Sequence, residues 1–482
     1  MTRVSGWILS AVLLAICIVR FWLMPLPSGF WIDELVTAFV LRFPGHPSLA
    51  TAPQVTESIY YWLPRFSTAL FGFSEISLRI PSLLAMGVTL YLVARLAARL
   101  IHPDATWFAV FACLSLHGID YFAVDARPYS LGIALATASL WFLVRWLDRA
   151  SWLDECAFLI CAALLWRVHL VYWPFYSVYL IYAATRLTAV PFRQMAVAAV
   201  VLPVSLIPVA LRAAAIAREA SSHAFNPPPG WRTFEHLLHW NLILICGASA
   251  WVLAFIFRWG RPTRTPARPE TFLVLAWWLC VPVSLFLYSW ITGNGVYIAR
   301  YLSLMLPGVA LTATALAAMR LPDRCWMPAA WAVALVALIW MGQWNILWPP
   351  HENSGWRAAA AAERRISANG TLVILPSPFV EARPPVWNPG YALPGFLYAN
   401  LPFYPLKGKF RLFPFDKSPE AQPYAASLLN SELIPSDRFL IYGPAGGVRY
   451  WVNWYAARPE LAGWRHRIAE FGDVYLAMFL KK

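Results

Sequence analysis

Long apolar blocks decide what this chain can fold into. Trp7–Met24, Ile80–Leu100, Met195–Ala215 and Leu237–Phe257 each approach the ~20 residues that a helix needs to cross a bilayer core. Only 13% of the 482 residues are charged, about half the ~25% of an ordinary soluble domain. A soluble chain of this length needs far more polar surface. The formal charge is +14. The basic residues fall in short links between apolar blocks, as membrane topology requires, so no nucleic-acid partner is expected. The seven cysteines lie in or beside apolar blocks with no disulfide or metal spacing, and read as core residues.

Length and hydropathy predict about 11 transmembrane helices. The others are Ala105–Phe122, Pro128–Leu147, Trp152–Trp166, Leu170–Ala184, Thr271–Ile291, Tyr301–Ala318 and Trp326–Leu347. Arg3 precedes a long apolar run with no small-x-small cleavage site, which suggests an uncleaved first span. The pair around Arg167-Val168-His169 is the hardest to divide. Merged, Trp152–Ala184 would be a helix of ~50 Å against a bilayer core of ~30 Å, so two short spans meeting at a polar turn are expected. Arginine placement supports that parity. With the N-terminus inside, Arg95/Arg99, Arg145/Arg149, Arg186/Arg193, Arg320/Arg324 and the cluster Arg258, Arg261, Arg264, Arg268 are all cytoplasmic. The odd count then places everything after Leu347 outside.

The expected organisation is a transmembrane catalytic domain over residues 1–347, with a first outward loop at about 25–79, and a soluble α/β domain over 348–482. The tail holds all five lysines and many prolines. Helices are expected at Trp356–Ser367, Pro419–Leu429 and Val448–Ala457. Strands are expected at Thr371–Leu375, Phe410–Phe413, Phe439–Tyr442 and Val474–Phe479. Gly443-Pro-Ala-Gly-Gly447 reads as a plain turn more readily than as an anion loop, because no phosphate-loop Lys-Ser/Thr follows.

Polar residues in this apolar setting are the candidates for chemistry. Asp33 and Glu34 lie between Trp31-Ile32 and Leu35-Val36. Apolar neighbours raise a carboxyl pKa toward that of a general base, although acids also favour a helix start. Ser58–Phe71 is aromatic and nearly uncharged, as suits a segment at the membrane face. Asp125-Ala-Arg127-Pro-Tyr129 lies between spans three and four. Arg127 suits a phosphate and Asp125 a sugar hydroxyl; the two could also simply pair, with Pro128 opening a helix. His169 at its turn and Arg300-Tyr301 entering span ten are further candidates, the arginine also reading as a snorkelling anchor. All these groups fall on the outward side under the arginine topology. Acids and arginines gathered at one membrane face suit transfer from an anionic lipid.

At these residues the chain resembles the bacterial GT-C glycosyltransferases of the protein-mannosyltransferase-like type, which include lipopolysaccharide-core and lipid A sugar transferases. Asp33-Glu34 match the family's acidic pair in the first outward loop. Leu70-Phe-Gly-Phe-Ser-Glu-Ile-Ser-Leu-Arg79-Ile-Pro81-Ser, Asp125-Ala-Arg127-Pro-Tyr129-Ser, His169 and Arg300-Tyr301-Leu-Ser-Leu-Met-Leu-Pro307 resemble its later segments. The similarity covers about residues 1–347 and rests on the order and spacing of these segments.

The resemblance implies the GT-C fold and transfer of a sugar from a polyprenyl-phosphate donor to a cell-envelope glycan, lipid or protein. The reaction would occur at the outer face of a bacterial cytoplasmic (inner) membrane. Asp33 would be the base or the acceptor-orienting acid, and Glu34 its support. Asp125, Arg127, Tyr129, His169, Arg300 and Tyr301 would bind the donor or substrate. Glu57 stands where many members have His-Pro-Pro, and either takes over that role or alters the acceptor pocket. No cofactor follows from the resemblance, and a divalent metal stays open. The competing class is a transporter or flippase, which should show internal repeats and broken mid-membrane helices. No repeat is seen, and the charges sit at one face. An inactive relative acting as a scaffold is a third reading.

Overall fold

The computed structural model describes residues 3–51, 58–218, 227–258, 265–376, 398–413 and 421–482. Glu57, Arg261 and Arg264 lie outside the described residues. The chain forms two compact units, Met1–Leu26 with Glu57–Pro349, and Pro27–Thr56 with Pro350–Lys482.

The first unit is helical and multi-pass. Among the described residues, seven helices are long and apolar enough to span a membrane, or up to nine with two bent pairs. The expected number, about 11, also counts two shorter helical segments. Trp152–Val168 has 17 residues and carries Asp154, Glu155 and Arg167. Leu170–Ala184 is an apolar segment below spanning length. These two meet at His169, as the length argument required. Ser151 caps the first of them, its side chain accepting from the Asp154 amide at 3.4 Å.

Two of the spans are bent pairs of helices, and a third opens irregularly. Pro103–Leu114 and His117–Ala123 meet at 77°, and Trp231–Leu237 and Trp240–Ile256 at 54°. At the second break His239 adopts a left-handed φ of 53°, which interrupts the helical ladder. The span beginning at Ala299 opens as a 3-10 turn through Met305 before Leu306–Ala318 continues as α-helix, with Pro307 in its first turn.

Small residues set the helix spacing. A Cβ on Gly308 would lie 2.8 Å from the Trp277 backbone, and one on Gly132 would lie 2.3 Å from the Tyr172 ring. Ion pairs gather at the arginine-rich ends. Asp148 meets Arg99 at 2.7 Å and Arg186 at 3.0 Å, and Asp154 meets Arg145 at 3.1 Å. Near the other end of the first span, buried Arg20 donates to the carbonyls of Gly342 (2.6 Å), Gln343 (2.8 Å), Ile346 (2.7 Å) and Leu347 (3.0 Å). It thereby pins the C-cap of the last spanning helix and the turn that follows it.

The second unit joins residues 27–56 to the C-terminal tail. Its sheet has the order β2-β1-β3-β5-β4, with β1 Leu372–Pro376, β2 Lys409–Phe413, β3 Arg438–Pro444, β4 Trp464–Phe471 and β5 Val474–Lys481. β1 runs parallel to β2 and β3, while β5 pairs antiparallel with β3 and β4. β1 is buried at every position, as expected for a parallel strand covered on both faces. Phe413, Phe439, Trp451 and Tyr455 belong to its core.

The observed helices Trp356–Ile366, Ala421–Leu428 and Ala445–Ala456 and four of the strands lie within a few residues of their expected positions. β4 was not expected. Six of its positions are exposed, and its Arg-His-Arg run lacks the apolar alternation of a half-buried strand; charge on an edge strand blocks further pairing. Pro444 ends β3, and Ala445 opens the helix that follows. The glycine-rich stretch is therefore a strand-to-helix junction with Gly446 and Gly447 in the helix.

Candidate active site

In the first unit, three segments bring the candidate residues together. Asp125, nearly fully buried, sits in a tight turn. Its carbonyl accepts from the Ser82 hydroxyl at 2.6 Å and from the Arg127 amide at 2.8 Å. Pro128 then opens the helix Tyr129–Arg149. The His169 ring lies 5.9 Å from the ring of Tyr129, 5.3 Å from that of Tyr172 and 5.1 Å from that of Tyr301. The Arg127 guanidinium is 6.0 Å from the Tyr129 ring, and that of Arg300 is 5.6 Å from the Tyr301 ring. One imidazole is thus flanked by two arginine–tyrosine pairs. Ser303 lies beside the cluster, its hydroxyl 3.3 Å from that of buried Tyr172.

Electrostatics follow from this packing. Burial, then the charges of Arg127 and Arg300, push the His169 pKa down to about 3. The imidazole is therefore neutral across the physiological range. Its Nδ1 accepts from the Val171 amide at 3.3 Å, so the ring proton sits on Nε2. The group presents two cations and a neutral N–H donor, a set suited to an oxyanion such as a phosphate.

In the second unit, Asp33 and Glu34 occupy the first turn of the helix Ile32–Arg42. Glu34 is fully buried and Asp33 partly exposed. The Trp31 amide donates to Glu34 Oε2 at 3.3 Å. The pair therefore does start a helix, with one acid holding the turn and the other accessible. A carboxylate oxygen of Glu34 and a ring nitrogen of His351 lie within 4.8 Å of each other. Both are ligand types used by divalent transition metals, although two residues do not by themselves define a centre.

Residues 58–210 match the family model for dolichyl-phosphate-mannose-protein mannosyltransferases. No curated protein matches the sequence. Among solved structures, ArnT from Cupriavidus metallidurans in the apo state is similar over 99% of this chain and 98% of its own, with 12% identity and a TM-score of 0.57. The same protein bound to undecaprenyl phosphate is similar over 98% of each chain, with 12% identity and a TM-score of 0.54. The chain has the GT-C fold. Arabinosyltransferase EmbB from Mycobacterium smegmatis aligns over 65% of this chain and 31% of its own, with 14% identity and a TM-score of 0.40.

On this GT-C framework, Arg127, Tyr129, His169, Arg300 and Tyr301 form one cluster, and Asp125 turns the chain into it. Asp33 and Glu34 share a helix turn in the other unit. Sequence reasoning missed His351 and Tyr404. Neither stands out locally, since His351 follows a Trp-Pro-Pro run and Tyr404 lies in an aromatic, proline-rich stretch. Buried Asp120 was missed as well; its Oδ1 accepts from Trp22 Nε1 at 2.8 Å. An acid within an apolar helix is the signal that could have found it.

Proposed function

We propose that this protein is a glycosyltransferase. It moves a sugar from a polyprenyl-phosphate donor to a cell-envelope acceptor at the outer face of the cytoplasmic membrane, with its N-terminus inside and its C-terminal domain outside. The observation that carries this reading is the pair of arginine–tyrosine units around neutral His169. ArnT, whose fold it resembles, has been crystallised with undecaprenyl phosphate, a lipid of the proposed donor class.

In the proposed reaction, Asp33 takes the proton of an acceptor hydroxyl or orients that hydroxyl. The hydroxyl oxygen attacks the anomeric carbon while the bond from that carbon to the donor phosphate oxygen breaks. The departing lipid phosphate gains negative charge, which Arg127 and Arg300 neutralise and the His169 Nε2–H solvates. Glu34 holds the turn that presents Asp33. Asp125, Tyr129 and Tyr301 shape the donor pocket, and Glu57 contributes on the acceptor side.

The test is in-membrane transfer from a panel of polyprenyl-phosphate sugars, comparing the wild type with Asp33→Asn and Arg127→Ala. The wild type is expected to use at least one donor and both variants to lose most turnover. Equal turnover by Asp33→Asn would remove Asp33 from the mechanism, and failure of the wild type with every donor would sink the reading.

A further inference from the structure

The backbone leading into the acidic pair is held by residues far along the chain. The Phe30 amide donates to Tyr404 Oη at 2.8 Å, across 374 positions of sequence. Phe30 and Tyr404 are both buried, and the Phe30 ring meets the Phe403 ring edge-on at 6.2 Å. Two residues earlier, the Ser28 hydroxyl accepts from the His351 amide at 3.1 Å. The Pro27 carbonyl accepts from both terminal nitrogens of Arg357 at 3.3 Å. The next amide after Phe30, that of Trp31, belongs to Glu34 itself. Pro27, Ser28, Phe30 and Trp31 are thus each bonded, and the helix carrying Asp33 begins at Ile32.

A helix advances 100° per residue, so its first turn points wherever the preceding backbone directs it. We propose that Tyr404 is a positioning residue: by accepting from the Phe30 amide it sets the phase of the helix turn that presents Asp33 and Glu34. This assigns the C-terminal domain a part in the reaction beyond any choice of acceptor, and it rests on the function proposed above. Tyr404 touches no reacting atom. Its hydroxyl fixes Phe30, Phe30 fixes Trp31, and Trp31 is the amide that Glu34 holds.

The test uses the full chain in proteoliposomes, with Tyr404→Phe as the main variant and Arg357→Gln as a second, since its anchor is exposed and its loss leaves the core intact. Two measurements run together. Amide hydrogen exchange follows residues 28–34 against the sheet strand Phe439–Tyr442. Transfer kinetics follow kcat and the donor KM. The expected result for Tyr404→Phe is faster exchange confined to 28–34, with kcat falling by about 10²-fold, the scale of an ångström's misplacement, at unchanged donor KM. Arg357→Gln is expected to move both in the same direction by less. Wild-type exchange at 28–34 in Tyr404→Phe overturns the proposal, as does wild-type kcat. Faster exchange across the sheet as well would mark Tyr404 as a general stability residue and also overturn it. If the wild type transfers no sugar, the proposed reaction fails, and the exchange measurement still decides whether Tyr404 holds the turn.

Discussion

His169 lies between two arginine–tyrosine pairs, and that placement gives the protein a measurable acid response. Its folded pKa is depressed to about 3 against ~6.5 in an unfolded chain. Below about 6.5 the unfolded state binds a proton that the folded state refuses. Stability should therefore fall as pH drops from about 6.5 toward about 3, and His169 should add no slope above that window. Thermal unfolding of detergent-solubilised wild type and His169→Asn across pH 4–8 should show a shallower acid slope in the variant. The arginines should be less replaceable than their charge suggests. Arg300→Ala should cost roughly 10²–10³-fold in kcat, and Arg300→Lys should recover only part of it, because an ammonium lacks the planar donor fork; transfer kinetics on both variants check this. Arg127, His169 and Arg300 were legible in the sequence because a charge or imidazole beside an apolar run must have a reason to be there. Tyr404 was not, since a tyrosine among prolines and aromatics has the look of packing, and its partner amide lies 374 positions away.

At the scale of the element, Arg20 and Gly132 separate stability from chemistry. Arg20 bonds four carbonyls at the cap of the last spanning helix and in the turn after it. Arg20→Met should lower stability by about 1–3 kcal/mol, read as a lower Tm, with turnover per folded molecule unchanged. Gly132 sits beneath the ring of Tyr172, which in turn meets His169. Gly132→Ala should force that ring aside and reduce turnover along with Tm, so the ratio of the two effects distinguishes this variant from Arg20→Met. Apolar length and turn residues were enough to find the helices. The 77° and 54° bends were not legible, because a hydropathy window records how apolar a stretch is and carries no direction. β4 escaped for the opposite reason, as its exposed edge has no apolar face to display.

For the whole molecule, the decisive claim is sidedness. In a background stripped of native cysteines, an added cysteine at exposed Arg467 on β4 should react with a membrane-impermeant maleimide from outside intact cells. One at exposed Arg149 should react only after permeabilisation; the reverse pattern would invert the proposed topology. The multi-pass character and the α/β tail could be read from composition and spacing. The membership of Pro27–Thr56 in the same compact unit as the tail could not, because no local pattern reports a partner more than 300 positions downstream. That partnership has a consequence in time. The ribosome makes ~5–20 residues per second, so Phe30 emerges roughly 20–75 s before Tyr404 exists to receive it. Throughout that interval every later span is being inserted while the acidic turn waits without its anchor. On the proposed reading, a newborn chain is inserted as a membrane protein before its acidic turn is set, and a chain cut short anywhere before Tyr404 is expected to keep that turn unanchored.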